Sequence, residues 1–147
     1  YEISRGLVGS EICIRDSLHC GKAGTGQLTK ILNNMILFET VVALSEAANI
    51  AEQYGMNVEN LYENITKCSG DSFALRNHGL KSIAKNNFPS PAFSSEYALK
   101  DLSYALELGQ KLNVKMPGAL SAENLLKTSI KNGDKDLYFP VMKKYFS

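Results

Sequence analysis

The chain has 147 residues, of which 44% are hydrophobic and 21% are charged, a composition typical of one globular domain. Its 16 basic and 15 acidic residues give a formal net charge of +1. This near-balance provides no electrostatic reason to expect nucleic acid or an anionic membrane as a partner.

The first residues show no regular pattern. Residues 1–17 follow neither strand nor helix periodicity, and no basic region precedes an apolar one as in a signal peptide. Residues 7–16, LVGSEICIRD, resemble the in-frame translation of a transposon adapter used in sequencing libraries, with Ile12 in place of Met. We expect residues 1–20 to be a non-native segment of this origin or a linker from an upstream domain. Residues 21–147 are expected to form a helical C-terminal domain.

A long helix is predicted after the glycine-rich residues 21–26, and it ends at Gly55, which adopts a left-handed cap at little cost. Glu39 and Thr40 interrupt its most apolar part, which favours a core helix over a membrane span. Its apolar residues cover nearly the whole circumference, which predicts a buried central helix; they are Ile31, Leu32, Met35, Ile36, Phe38, Val41, Val42, Leu44, Ala47, Ala48 and Ala51.

Shorter helices are predicted next. Asn57 is expected to cap a helix that continues to about Lys67, and either Asp71 or Ser72 is expected to cap a helix over residues 73–80. Residues 86–91 contain two prolines and are predicted to form a loop.

Three helices complete the prediction. Ser94 or Ser95 is expected to cap a helix through residues 97–108, and Pro117 is placed at the first turn of a helix that ends before Gly133. A last helix is predicted over residues 135–145, with Pro140 straining its middle. With no convincing strand, the predicted class is all-α, a bundle of about six helices around a long buried central helix.

Lys30 and Asn34 are four residues apart, so the predicted helix places them on one face, one turn apart. On a buried helix, desolvation favours the neutral amine of Lys30, and an adjacent amide holds a substrate hydroxyl in line with it. The alternative is that Lys30 reaches solvent at the mouth of the helix and Asn34 caps a neighbouring element.

The wider pattern is Gly21-x-x-Gly24-x-Gly26-Gln27-x-x-Lys30-x-x-Asn33-Asn34. It resembles the catalytic signature of the β-hydroxyacid dehydrogenases, the family of 3-hydroxyisobutyrate dehydrogenase, tartronate semialdehyde reductase and the glyoxylate/succinic semialdehyde reductases. The resemblance implies that Lys30 is the catalytic residue, that Asn34 and Asn33 contact substrate, and that the fold resembles the C-terminal domain of 6-phosphogluconate dehydrogenase.

A second block begins at Phe93 and continues with Ala98-Leu-Lys-Asp-Leu102. It resembles the conserved phenylalanine and "KDL" segment of the same family. The resemblance implies that Phe93 forms a wall for the nicotinamide or substrate, that Lys100 contacts the cofactor and that Asp101 borders the substrate. As adjacent helical residues, Lys100 and Asp101 point in different directions, so only one of them faces the Lys30 cleft. Without the resemblance, the two form an ordinary solvated charge pair.

Together the two blocks imply reversible oxidation of a 3-hydroxy acid, such as 3-hydroxyisobutyrate, with NAD or NADP and no metal. The alternatives are reduction of glyoxylate, succinic semialdehyde or tartronate semialdehyde, and a non-catalytic dimerisation module. A homodimer or tetramer is expected. The family's Rossmann domain is not recognised in these residues, so we expect the chain alone to bind nicotinamide cofactors weakly and to turn over no substrate.

The remaining polar residues are given structural roles. Three cysteines without CxxC spacing fit reduced thiols in an intracellular protein, cytoplasmic or mitochondrial. His19 lies at the edge of the irregular first segment, and His78 has no second ligand at metal spacing, so both are expected at the surface or at helix caps. Asp134 and Asp136 are expected to cap a helix.

Overall fold

The computed structural model describes residues 24–146 and shows six helices in this part of the chain. Four are α-helices: α1 (Thr25–Tyr54), α2 (Val58–Ile65), α3 (Ser95–Lys111) and α4 (Pro117–Lys131). A π-helix (Leu75–Ile83) lies between α2 and α3, and a 3₁₀-helix (Phe139–Tyr145) follows α4. The predicted all-α class with about six helices is confirmed. The prediction for residues 1–20 lies outside the described residues.

The chain divides into two compact units, with the boundary between Lys30 and Ile31. In the second unit, α3 packs against α4, and both contact the 3₁₀-helix. The π-helix packs against α2 and the 3₁₀-helix. The apolar faces of these five helices and the middle of α1 form one core, whose largest members include Phe38, Tyr62, Leu75, Leu102 and Phe139.

Helix α1 is buried on one face only. Its buried residues are Phe38, Val41, Val42, Leu44, Ser45, Ala48 and Ala51. Ile36 and Ile50, in contrast, are 60% and 70% exposed. The predicted burial around the whole circumference is therefore wrong for the described chain, because the other elements contact only one side of this helix.

By length and composition alone α1 could cross a membrane, although the sequence pattern argued against a span. The core helix of a globular protein passes the same test, and the Phe38–Ala51 part of α1 contributes most of its inward side chains to the shared core. The packing therefore supports the core-helix interpretation.

Most predicted helix boundaries are confirmed by cap geometry. The Asn57 side chain accepts a hydrogen bond from the backbone of Asn60 at 3.0 Å. Of the alternatives left open, Ser72 accepts from the backbone of Leu75, and Ser94 caps α3 by accepting from Tyr97. These bonds satisfy backbone N–H groups that have no partner inside the helix.

The last helix begins later than predicted. It is a 3₁₀-helix that starts at Phe139, and Pro140 occupies its first turn, where the missing N–H removes no helical hydrogen bond. The expected strain at Pro140 in the middle of a helix is therefore wrong. Further along, the buried Lys143 ammonium donates to the Glu52 carboxylate at 2.6 Å and to the Asn86 side chain at 3.3 Å. These bonds fasten the 3₁₀-helix to α1 and to the turn after the π-helix.

Candidate active site

A hydrogen bond joins the two sequence blocks. The Asn34 side-chain amide on α1 donates to the Asp101 carboxylate on α3 at 2.9 Å, across 67 positions of sequence. Both side chains are half-buried, so the bond is partly shielded from water. Because an ionised acceptor strengthens such a bond, Asp101 fixes the direction of the Asn34 amide.

Asn33 lies beside this pair on the exposed surface of α1. Its side-chain nitrogen is 3.5 Å from the Asn34 side-chain oxygen, at the outer limit of a hydrogen bond. The Asn34 oxygen is therefore held only weakly by protein, which leaves it able to accept a stronger hydrogen bond from a hydroxyl.

Phe93 lies in the loop before α3 and is 37% exposed. Its ring stacks on buried Phe38 of α1, with centroids 6.0 Å apart and planes inclined by 18°. Buried Phe139 meets it edge to face at 5.8 Å. One face of Phe93 is thus supported by core aromatics while part of the ring stays accessible, the arrangement expected of an apolar wall.

Lys100 and Asp101 point to different neighbours, in agreement with their adjacent positions on a helix. Asp101 is directed towards α1, whereas the exposed Lys100 ammonium lies 5.8 Å from the ring centroid of Tyr97, three residues earlier on α3. At an exposed site this cation–π contact is weak, so Lys100 can exchange it for a stronger anionic partner.

Lys30 lies on α1 four residues before Asn34, and its side chain is exposed. The predicted burial of this lysine is wrong for the described chain. Leu28 and Leu32, two positions before and after Lys30 in the sequence, are also exposed. The desolvation that the sequence argument assigned to Lys30 is therefore not provided by the residues that the structure describes.

The aromatic support beneath Phe93 was missed by the sequence analysis. Phe38 was assigned only to the core, and Phe139 lay within a predicted helix. Their contact with Phe93 is long-range, and no local periodicity signals it. A groove of about 680 Å³ between α3 and α4 is lined by none of the predicted site residues.

Residues 24–145 match the sequence family described as "NAD-binding of NADP-dependent 3-hydroxyisobutyrate dehydrogenase". The chain belongs to this family. The resemblance to the β-hydroxyacid dehydrogenases on which the two motifs were interpreted is thereby confirmed.

Individual members of the family are similar over most of this chain. A "Probable 3-hydroxyisobutyrate dehydrogenase" of Mycobacterium tuberculosis is 30% identical over 125 residues, which cover 81% of this chain and 42% of that protein. The 2-(hydroxymethyl)glutarate dehydrogenase of Eubacterium barkeri is 35% identical over 103 residues, 70% of this chain and 34% of that protein. The chain thus spans well under half of these curated relatives.

A solved structure supports the fold. The 3-hydroxyisobutyrate dehydrogenase of Mycobacterium tuberculosis with L-serine superposes with a TM-score of 0.77 at 30% identity. The match covers 87% of this chain and 45% of that one. The helical arrangement is therefore that of the corresponding part of a 3-hydroxyisobutyrate dehydrogenase.

Two polar residues outside the family motifs differ from expectation. His78 is neither at the surface nor at a cap. It lies on the π-helix, hydrogen-bonded to the Tyr138 hydroxyl, and its ring contacts Phe73 and Phe139. Burial, with a smaller effect from the charge of Lys81, lowers the pKa of His78 to about 4.

Asp134 also has a different role from the predicted helix cap. It accepts hydrogen bonds from the Tyr145 hydroxyl at 2.7 Å and the Lys144 ammonium at 3.2 Å. These contacts hold the C-terminal helix to the end of α4. The other histidine expected at the surface or at a helix cap, His19, lies outside the described residues.

Proposed function

We propose that this chain is the substrate-side part of an NAD(P)-dependent β-hydroxyacid dehydrogenase that oxidises a 3-hydroxy acid, such as 3-hydroxyisobutyrate, to its semialdehyde. The observation that carries the proposal is the Asn34–Asp101 hydrogen bond. It brings together the two motif blocks of the family, which sequence alone could only place in order.

The described residues fit a nicotinamide cofactor. The accessible part of the Phe93 ring offers a flat apolar surface backed by Phe38, suited to stacking against a planar heterocycle. Lys100 offers an exposed ammonium for a phosphate or a ribose hydroxyl. When bound, the cofactor supplies the hydride acceptor for oxidation and the hydride donor for reduction.

The proton chemistry is assigned to Lys30 and Asn34. During oxidation the neutral Lys30 amine accepts the proton of the substrate hydroxyl, and during reduction the ammonium returns it. The Asn34 side chain holds the same oxygen, with Asp101 fixing the orientation of the amide. The ammonium that forms also stabilises negative charge on the substrate oxygen.

Lys30 needs a cover for this chemistry, because proton transfer with the substrate requires a site from which bulk water is excluded. We assign the cover to a nucleotide-binding part of the enzyme together with bound substrate. This assignment explains why Leu28, Leu32 and Ile36 are exposed on the same stretch of α1. It also leads us to propose that the 147-residue chain by itself turns over no substrate.

The other exposed apolar residues of α1 support an assembly role. Ile50 is largely exposed, and Tyr54 follows it one turn later with little contact. We propose that a second copy of the chain covers this end of α1 in a homodimer or tetramer inside the cell, cytoplasmic or mitochondrial.

The proposed activity is tested by joining the chain to a nucleotide-binding half and assaying a panel of acids with NAD and NADP. The panel contains 3-hydroxyisobutyrate, 2-(hydroxymethyl)glutarate and L-serine, together with glyoxylate, succinic semialdehyde and tartronate semialdehyde for the reverse reaction. The proposal expects the highest kcat/KM with a 3-hydroxy acid. Turnover of none of these compounds contradicts it, and a preference for glyoxylate or a semialdehyde would move the assignment to a reductase.

A further inference from the structure

The backbone that carries Phe93 is held by the start of the 3₁₀-helix and the residue before it. The Phe139 amide donates to the Phe93 carbonyl at 3.0 Å. Next to this bond, Ser94 and Tyr138 form an isolated antiparallel bridge. The position of Phe93 in the loop therefore depends on where Tyr138 and Phe139 lie.

Tyr138 is in turn held by His78 of the π-helix. The Tyr138 hydroxyl is hydrogen-bonded to His78 Nδ1, and both rings pack against Phe139, with centroids 5.3 Å and 5.4 Å from it. Burial raises the pKa of Tyr138 to about 12, so its hydroxyl keeps its proton. The hydroxyl donates to Nδ1 or accepts from it, according to which nitrogen of the neutral ring carries the proton.

This arrangement has a cost. His78 Nε2 is buried and has no hydrogen-bond partner among the described residues. An apolar side chain of similar size fills the same space without that penalty. What the polar pair adds is direction, since the hydrogen bond is satisfied in one geometry whereas apolar contact tolerates several. A hydrogen-bonded pair at this position is thus better suited to holding its neighbours than to stabilising the core.

We propose that Tyr138, fixed by His78, is a positioning residue that sets the orientation of Phe93 through Phe139. The chain of contacts runs from the His78–Tyr138 hydrogen bond to the Phe139 ring, and from Phe139 to Phe93 by both an edge-to-face contact and a backbone hydrogen bond. The consequence for cofactor binding rests on the proposed function, in which Phe93 is the wall beside the nicotinamide.

The positioning is tested first on the 147-residue chain, without any ligand. Tyr138→Phe removes one hydroxyl and keeps the ring. Tyr145→Phe is the matched control, because its hydroxyl donates to Asp134 at 2.7 Å and no ring contact joins Tyr145 to Phe93 in the described residues. Nuclear Overhauser contacts between the Phe93 and Phe38 rings are expected to lose intensity in Tyr138→Phe and to stay unchanged in the control.

A conservative replacement provides the rescue. His78→Asn places its side-chain amide at the position of Nδ1, where its oxygen can accept from the Tyr138 hydroxyl, so the contacts between the Phe93 and Phe38 rings are expected to persist. Loss in Tyr138→Phe with retention in His78→Asn supports the inference. Unchanged ring contacts in Tyr138→Phe overturn it.

The functional consequence is tested by a double-mutant cycle in the chain joined to a nucleotide-binding half. Tyr138→Phe is expected to raise the KM for the cofactor by roughly fivefold, the effect of one lost hydrogen bond, with a much smaller effect on kcat. In a Phe93→Leu background the same substitution is expected to change KM little, since the ring to be positioned is gone. An equal rise in both backgrounds, or none in either, contradicts action through Phe93.

The two proposals fail in different ways. If no β-hydroxyacid is oxidised but the Phe93 contacts respond to Tyr138→Phe, the proposed function is wrong and the positioning stands. If the enzyme is active and the contacts do not respond, the positioning is wrong and the proposed function stands.

Discussion

Replacement of Asp101 by alanine removes the acceptor that fixes the Asn34 amide. The bond is 2.9 Å long and its acceptor is ionised, a class that contributes about 1.5–3 kcal/mol when buried. Because both side chains are only half-buried, we reduce this to about 1–2 kcal/mol. If Asn34 holds the substrate oxygen in the transition state, kcat/KM falls by roughly 5- to 30-fold.

Asp101→Asn refines the prediction. The new side chain keeps an oxygen that accepts from Asn34 but loses the negative charge, so a loss of roughly half the free energy is expected. Steady-state kinetics on the enzyme joined to a nucleotide-binding half should therefore rank the native protein above Asp101→Asn and Asp101→Ala last. Asp136→Ala, at an exposed carboxylate, serves as the control and should keep the native kcat/KM.

The Asp101→Ala substitution in an Asn34→Ala variant tests whether Asp101 acts through Asn34. In Asn34→Ala the amide is absent, so Asp101→Ala should add little further loss. Fully additive losses would show that Asp101 acts independently of Asn34, and the reasoning from the hydrogen bond would be wrong. An unchanged kcat/KM in Asp101→Ala would have the same meaning.

Three further predictions concern the chain itself. Without a nucleotide-binding half it should oxidise no 3-hydroxy acid with NAD or NADP, and measurable turnover would contradict the proposed cover over the lysine. His78 has a pKa near 6.5 in the unfolded chain and about 4 in the folded chain. Between these pH values the unfolded state binds more protons, so the free energy of unfolding falls as the pH falls, by roughly 1–3 kcal/mol. Urea unfolding should show that slope flattened in His78→Gln, and an unaltered slope would exclude His78 as its source. Glu52→Gln leaves the Lys143 ammonium buried without its carboxylate partner and should lower the free energy of unfolding by about 2–3 kcal/mol. Glu123→Gln, in the more exposed pair with Lys127, should lower it by under about 0.5 kcal/mol. Equal losses would contradict the role given to burial.

Local signals in the sequence were sufficient for the helices and for most of their ends. Asn57, Ser94 and Pro117 act within one helical turn, so their effect can be derived without knowing the rest of the fold. The delayed start of the last helix was missed because Leu137 and Tyr138 pair with the segment at Ser95 and Ser94, a contact across more than 40 positions. That pairing competes with helix formation and is not visible in local periodicity.

The burial of α1 shows a different limit of the sequence. Its pattern correctly marks residues such as Phe38 and Ala48 as core, but it marks Ile36 and Ile50 in the same way. Periodicity shows that a side chain is apolar, but it does not show whether the residues that bury it belong to this chain. Apolar residues buried by this chain and apolar residues left for another domain or subunit therefore look alike in the sequence and differ only in the folded chain.

The sequence motifs supplied candidate site residues but not their geometry. The motifs named Lys30, Asn34, Phe93 and Asp101, whereas the pairing of Asn34 with Asp101 and the support of Phe93 by Phe38 required the fold. The first contact joins α1 to α3 and the second joins α1 to the loop before α3, so neither follows from spacing within one element.

Proton transfer by Lys30 is best tested by measuring kcat of Lys30→Ala in the chain joined to a nucleotide-binding half. We expect a loss of roughly 10²- to 10⁴-fold, the usual contribution of a positioned acid–base group, with native circular dichroism and retained cofactor binding. Lys67→Ala, which removes an exposed lysine outside the motif, should leave kcat unchanged. A kcat for Lys30→Ala within about threefold of the native value would contradict the claim, since removing a general base costs far more.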